Sequence, residues 1–146
     1  MPKRKSLKRG VKAGQGKRAN AQPYTVFISH SSSDSWIANQ MSKEIEALGA
    51  ETWLDTMKLL GGDNIKEEIG KGITRCREAI VLVTPKSIES TWVTLEIGIL
   101  FEQRKRITPI LCYASPEEIK MLSDVKAIDL NDFDDFLAQL RQRMNQ

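Results

Sequence analysis

Short apolar runs alternate with amphipathic stretches along this chain, and from Pro23 onward the alternation is regular enough to predict elements. Tyr24-Thr25-Val26-Phe27-Ile28-Ser29 reads as a strand, ended by the polar turn His30-Ser31-Ser32-Ser33-Asp34. Trp36, Ile37, Met41, Ile45 and Leu48 then recur at helical spacing until Gly49 stops the helix. Glu51-Thr52-Trp53-Leu54 is a second strand. Residues 55–64, which contain Gly61-Gly62, form a loop that opens a helix at about Ile65. Ala79-Ile80-Val81-Leu82-Val83-Thr84 is the third strand, closed by Pro85. A helix over 91–102 follows, then Ile107-Thr108-Pro109-Ile110-Leu111-Cys112 as the fourth strand and Val125–Leu130 as the fifth. Residues 132–144 form a last helix that turns Phe133, Phe136, Leu137 and Leu140 inward.

Strands alternating with helices of this length predict βαβ units, and so a central parallel five-stranded sheet flanked by helices on both faces, an α/β chain of flavodoxin-like topology. In such sheets the ligand crevice lies beyond the carboxyl ends of the strands. The turn 29–34, the loop 55–64 and the start of the 91–102 helix all fall on that rim.

One residue breaks the pattern. With Ser90 as N-cap, winding the helix at about 100° per residue gathers Thr91, Thr94, Gly98 and Glu102 on a polar arc. Glu96 falls on the opposite side, with Trp92 one turn before it and Leu100 one turn after. A carboxylate there loses hydration and must find donors or a ligand, which makes it a candidate for function. A groove that admits water, or a buried Arg, would satisfy it equally well; the helix alone does not decide between them.

Composition adds limits. The 146 residues are 40% apolar and 6% aromatic, as expected of a single domain with a real core. No apolar run approaches the roughly 18 residues of a membrane span, and no apolar stretch follows the basic N-terminus as a secretory signal would require. Cys76 and Cys112 lie far apart without CxxC spacing and suit a reducing, cytoplasmic setting. His30 is the only histidine, which argues against a zinc site. The net charge of +3 divides unevenly, because residues 1–22 carry eight cations and no acid. The remaining 14 cations face all 19 acids, a net of −5. Residues 1–22 are therefore expected to be a disordered basic tail, and 23–146 the folded domain. Such a tail suits nucleic acid or an anionic surface through phosphate contacts, although no interleaved aromatic residue is present to stack on bases. Trp36 and Trp53 are expected in the core, and Asp132, Asp134 and Asp135 at the start of the last helix, where acids favour the dipole, rather than around a metal.

Four blocks in order carry a family resemblance. Tyr24–Asp34 resembles the opening of Toll/interleukin-1 receptor (TIR) domains. Trp53-Leu54-Asp55 with Leu59-Leu60-Gly61-Gly62-Asp63 is similar to the family's second strand and BB loop. Ile80–Ser87 continues the match, and Ser90-Thr91-Trp92-Val93-Thr94-Leu95-Glu96 is similar to the S-x-W-x-x-x-E pattern of NAD-cleaving TIR domains. The blocks span about residues 23–112 and suggest a bacterial-type protein built of a TIR domain alone. The resemblance implies that Glu96 is the catalytic carboxylate for cleaving the nicotinamide–ribose bond of NAD+. Ser29, His30, Ser31, Ser32, Gly61 and Trp92 are implied as substrate-binding residues. NAD+ is then substrate, with no further cofactor and no metal. Where some relatives place arginines for the phosphates, this chain has Ser31 and Ser32, so backbone N–H groups and hydroxyls would serve. The family further implies self-association through TIR–TIR contacts that include the BB loop (55–64), a separate sensor or effector protein as partner, and a role in antiviral defence or cell-death signalling.

A non-catalytic TIR adaptor is the alternative within the family, and an adaptor has no use for Glu96 beside Trp92. A receiver-type phosphoacceptor of the same topology would need an acid at the end of the third strand, where Thr84-Pro85 stands.

Overall fold

The computed structural model describes residues 22–54 and 59–146. The expected basic tail, apart from Gln22, and the first four residues of the expected loop lie outside them. Strands β1 (Thr25–Ser29), β2 (Glu51–Trp53), β3 (Glu78–Val83), β4 (Arg106–Leu111) and β5 (Ile128–Asp129) form one sheet. All pairs are parallel and the order is β2-β1-β3-β4-β5. The chain steps outward from β1 to β2, then crosses back to β3 on the other side of β1. That reversal opens a crevice between the carboxyl ends of β1 and β3.

Helices α1 (Ser35–Glu46) and α5 (Phe133–Met144) cover one face of the sheet, and α2 (Ile65–Thr74) and α4 (Thr91–Glu102) the other. Strand alternation divides the core between them. Val26, Ile28, Ile80, Leu82 and Ile110 meet Ala38, Met41, Ile45, Phe136 and Leu140. Phe27, Ala79, Val81 and Val83 meet Ile69, Ile73, Val93, Ile97 and Leu100. Each large aliphatic side chain so enclosed stabilises the fold by about 1.5–3 kcal/mol.

The first four strands follow the expectation to within one residue at their ends, and three larger differences stand out. Trp36 is expected inside but is 73% exposed. Helix α1 starts at Ser35, and its buried stripe is Ala38, Met41, Ser42 and Ile45. Trp36 precedes Ala38 by two residues, about 200° around the helix, so it faces away from the sheet. The fifth strand is only two residues long, because β5 is an edge that meets β4 only at Ile110 and Leu111. Beyond β3 the chain does not simply turn: Thr84 caps a four-residue helix, α3 (Pro85–Ile88), through a reciprocal capping box with Ser87. Trp53 does pack on the core as expected, with its ring 5.2 Å from that of Phe27. Asp132 precedes α5, and Asp134 and Asp135 lie in its first turn.

Two packing solutions were hidden from pattern reading. Glu78 begins β3 with 1% exposure, and the Arg143 guanidinium near the end of α5 binds both of its oxygens, at 2.9 and 2.7 Å. The Tyr24 hydroxyl donates to the same carboxylate. Burial first, then Glu78, raises the Tyr24 phenol above its ordinary range. The other solution is Gly72 in α2. A Cβ there would stand 1.9 Å from the Trp53 ring, so only glycine lets α2 lie against β2.

Arg143→Ala should lower stability by roughly 2–4 kcal/mol, because it leaves Glu78 buried without its cation; denaturant melts measure this. Gly72→Ala should also destabilise, by up to about 2 kcal/mol net of its better helix propensity, since overpacking of about 1–3 kcal/mol outweighs the gain of about 1 kcal/mol. Burial pushes the Cys76 thiol from 9.0 up to about 11. A thiol that holds its proton more tightly when folded adds stability that is complete below pH 9.0 and is lost as the pH rises through about 11. Melting temperature should therefore fall over that range, and less steeply in Cys76→Ala.

Candidate active site

β1 ends at Ser29, on the same side as Phe27, and so on the face covered by α2 and α4. Ser29 has no solvent exposure. Helix α4 begins where Ser90 caps it, the serine side chain accepting from Val93 N at 3.1 Å. The cap sets the helix phase. Thr91, Thr94, Gly98 and Glu102 face outward, while Val93, Glu96, Ile97 and Leu100 are buried. Glu96 is 1% exposed, and the Ser29 hydroxyl donates to its Oε1 at 2.6 Å. A distance this short is characteristic of a hydroxyl bound to a carboxylate. Of the two alternatives that the helix alone left open, a water-filled groove around Glu96 is not what the structure shows.

Beside this pair a cleft of about 420 Å³ opens at the β1/β3 switch point, within the usual range for small-molecule sites. Its lining is His30, Ser31, Ser32, Ser35, Asn39, Leu54, Ser90 and Trp92. Among the described residues the lining holds no Arg or Lys, so an anionic group entering here meets hydroxyls, an amide and the first backbone N–H groups of a helical run. The turn is cross-linked by hydrogen bonds of its own. Ser31 accepts from Ser33 N at 3.3 Å, Ser35 Oγ donates to Ser32 O at 2.8 Å, and Asn39 Nδ2 donates to Ser35 O at 2.9 Å. His30 is half-buried, with Nδ1 3.3 Å from the Ile28 carbonyl oxygen. It thus lines the cleft and returns to its own strand.

The two walls of the cleft are joined. Thr84 Oγ1, at the end of β3, donates to Asp34 Oδ2 at 2.6 Å, and Asp34 immediately precedes α1. One wall carries the serine turn; the other leads through α3 into Ser90 and Trp92.

His30, Ser31, Ser32 and Trp92 from the sequence-based set therefore line the cleft together. Ser29 and Glu96 lie behind it, and neither is a lining residue. Gly61 is exposed in a turn where Asp63 N donates to Leu60 O and Leu60 N to the Asp63 carboxylate, and it does not line the cleft. Gly62 takes φ +92° in that turn, which glycine adopts without strain. Residues 55–58 of the same loop lie outside the described residues. Ser35, Asn39, Leu54 and Ser90 complete the lining and fall outside the set that the sequence implies. Leu54 and Ser90 carry a usable signal, since one directly follows β2 and the other caps a helix on the carboxyl rim. Asn39 has none, as it sits a full turn into α1.

Comparison with known proteins agrees with the geometry. A family model described as TIR domain matches residues 26–143. The chain is 28% identical over 124 residues to a probable 2′ cyclic ADP-D-ribose synthase, BdTIR, of Brachypodium distachyon, covering 82% of this chain and 55% of that protein. It is 31% identical over 113 residues to the NAD(+) hydrolase PdTIR of Paracoccus denitrificans (strain Pd 1222), covering 74% and 38%. The chain thus spans about half or less of the length of these curated relatives. Among solved structures, the TIR domain of the Toll-related receptor TRR-2 of Hydra magnipapillata matches with a TM-score of 0.62 at 21% identity, over 82% of this chain and 94% of that one. That likeness speaks to the fold alone. With the five-stranded parallel sheet, its 2-1-3-4-5 order and a family match over most of its length, this chain belongs to the TIR domain family.

Proposed function

We propose that this TIR domain cleaves the nicotinamide–ribose bond of NAD+, releasing nicotinamide with ADP-ribose or a cyclic ADP-ribose. The observation that carries the reading is Glu96, a carboxylate held at 1% exposure directly behind a cleft at the sheet's switch point. Two relatives whose names describe NAD+ hydrolysis and cyclic ADP-ribose synthesis support it.

The chemistry suits a single acid. As the C1′–N bond breaks, its electron pair passes to the pyridinium ring, and nicotinamide leaves neutral without needing a proton. What requires stabilisation is the oxocarbenium-like ribose, and a nearby carboxylate supplies it electrostatically. Water adding to C1′ and losing a proton gives ADP-ribose. An adenine nitrogen or a ribose hydroxyl of the same molecule, adding there instead, gives a cyclic product. In this reading Glu96 is the catalytic carboxylate, Trp92 flanks the nicotinamide end, and His30, Ser31 and Ser32 meet the dinucleotide by hydroxyl and backbone donors. Gly61, exposed in the turn 60–63 of the BB loop, is a further substrate-binding residue. Residues 23–146 are the TIR domain, with 1–22 a separate basic segment that binds an anionic partner. Self-association through contacts including the loop 55–64 completes the site, in defence or cell-death signalling in the cytoplasm. Among the described residues no helix is long and apolar enough to cross a membrane, and Cys76 and Cys112 are free thiols.

One observation favours a second reading. Glu96 is almost wholly enclosed, so a single chain in this conformation offers substrate little access to it. A non-catalytic TIR module acting only through assembly would tolerate that enclosure.

The deciding experiment is nicotinamide release from NAD+ at high protein concentration by wild type, Glu96→Ala and Glu96→Gln. The enzyme reading expects turnover by wild type that both variants lose by about 100-fold or more. Equal inertness of all three, with the fold intact, would leave the assembly module as the function. Chromatography of the second product separates hydrolysis from cyclisation.

A further inference from the structure

Ser29 is a residue whose position does not match that of a substrate contact. It has no solvent exposure and is not among the residues lining the cleft, while the next residue, His30, is. Strand alternation explains the difference. Ser29 shares a face with Phe27 and points toward α4, whereas His30 starts the turn that forms the cleft wall. A serine at the end of a core strand then meets Glu96 Oε1 at 2.6 Å.

Resting on the reading of Glu96 as the catalytic carboxylate, we propose that Ser29 is its positioning residue, fixing one carboxylate oxygen so that the group is oriented before substrate arrives. A glutamate has three side-chain torsions, and freezing them costs entropy at each turnover unless the protein has already done so. The strand backbone at Ser29 is set by ladder pairing with β3, Ser29 lying opposite Val81. The hydroxyl is therefore an anchor on a hydrogen-bonded sheet strand, not on a loop. A purely structural purpose would be served as well by an apolar pair at the two positions, since burying a hydroxyl against a carboxylate gains little net stability over good packing. The arrangement is better suited to orientation than to stability.

The test is steady-state nicotinamide release by wild type, Ser29→Ala, Ser29→Cys and Glu96→Gln, with a thermal melt of each. Ser29→Ala should lower kcat by about 10- to 100-fold with KM unchanged, because substrate contacts stay in place while the carboxylate loses its orientation. Ser29→Cys, close in size and with a weak donor, should recover part of that kcat. Wild-type kcat in Ser29→Ala overturns the proposal, and so does a loss confined to KM, which would make Ser29 a binding residue. If Ser29→Ala does not fold, Ser29→Cys decides: reduced kcat at unchanged KM supports the anchor, and wild-type kcat overturns it. An inert wild type overturns the catalytic reading and this proposal together. An active wild type with inactive Glu96→Gln and fully active Ser29→Ala overturns this proposal alone.

Discussion

β3 pairs with β1 on one edge and β4 on the other, while helices cover both of its faces, so the six residues Glu78–Val83 leave water together. The rest of the structure follows from accommodating that strand. Its ladder groups are satisfied by its neighbours, and its aliphatic side chains bring α1 and α5 to one face and α2 and α4 to the other. Its two ends need polar solutions of their own. At the amino end Glu78 is answered by Arg143 and Tyr24, which ties α5 to the base of the sheet. At the carboxyl end Thr84 caps α3 and holds Asp34, which ties the first wall of the cleft to the second.

The site inherits its form from that carboxyl end. A parallel sheet places every strand terminus of one kind on one rim, and the order reversal at β1/β3 keeps the helices there apart. The result is a division of labour between two depths. Near the surface, neutral hydroxyls, an amide and an indole make a cleft with polar and apolar sides. Beneath it, Glu96 sits where its burial costs hydration, and a strand-end serine returns a hydrogen bond. In the proposed reading, electrostatic stabilisation from such a dry place is stronger than from the rim.

The β2 edge shows how far from the chemistry the constraints extend. Trp53 stacks obliquely on Phe27, and its ring lies where a side chain on residue 72 would go. Helix α2 is therefore held close to β2, and Asn64 caps its start by accepting from Glu67 N. The closed turn 60–63 leads directly into that cap, so the loop's C-terminal end is anchored to the core through a glycine that no turn requires.

Much of this is legible in the chain itself. The strands, the helices and the parallel α/β class follow from apolar periodicity, because strand and helix faces repeat at different intervals and only burial selects for them. Glu96 is legible for the same reason, as a charge out of phase with its own helix. Ser90, recognisable as a cap from its residue type and place, sets that phase, and Asp134 and Asp135 are placed by the helix dipole. What periodicity cannot carry is which distant residues meet. That Arg143 reaches Glu78, that Gly72 makes room for Trp53 and that Thr84 holds Asp34 depend on how separate elements cross. The same holds for Ser29, which in sequence is one more serine before a serine-rich turn. Only the pairing of β1 with β3 and the docking of α4 turn its hydroxyl toward Glu96, because a contact between residues 67 positions apart is a property of the packed sheet and not of either segment.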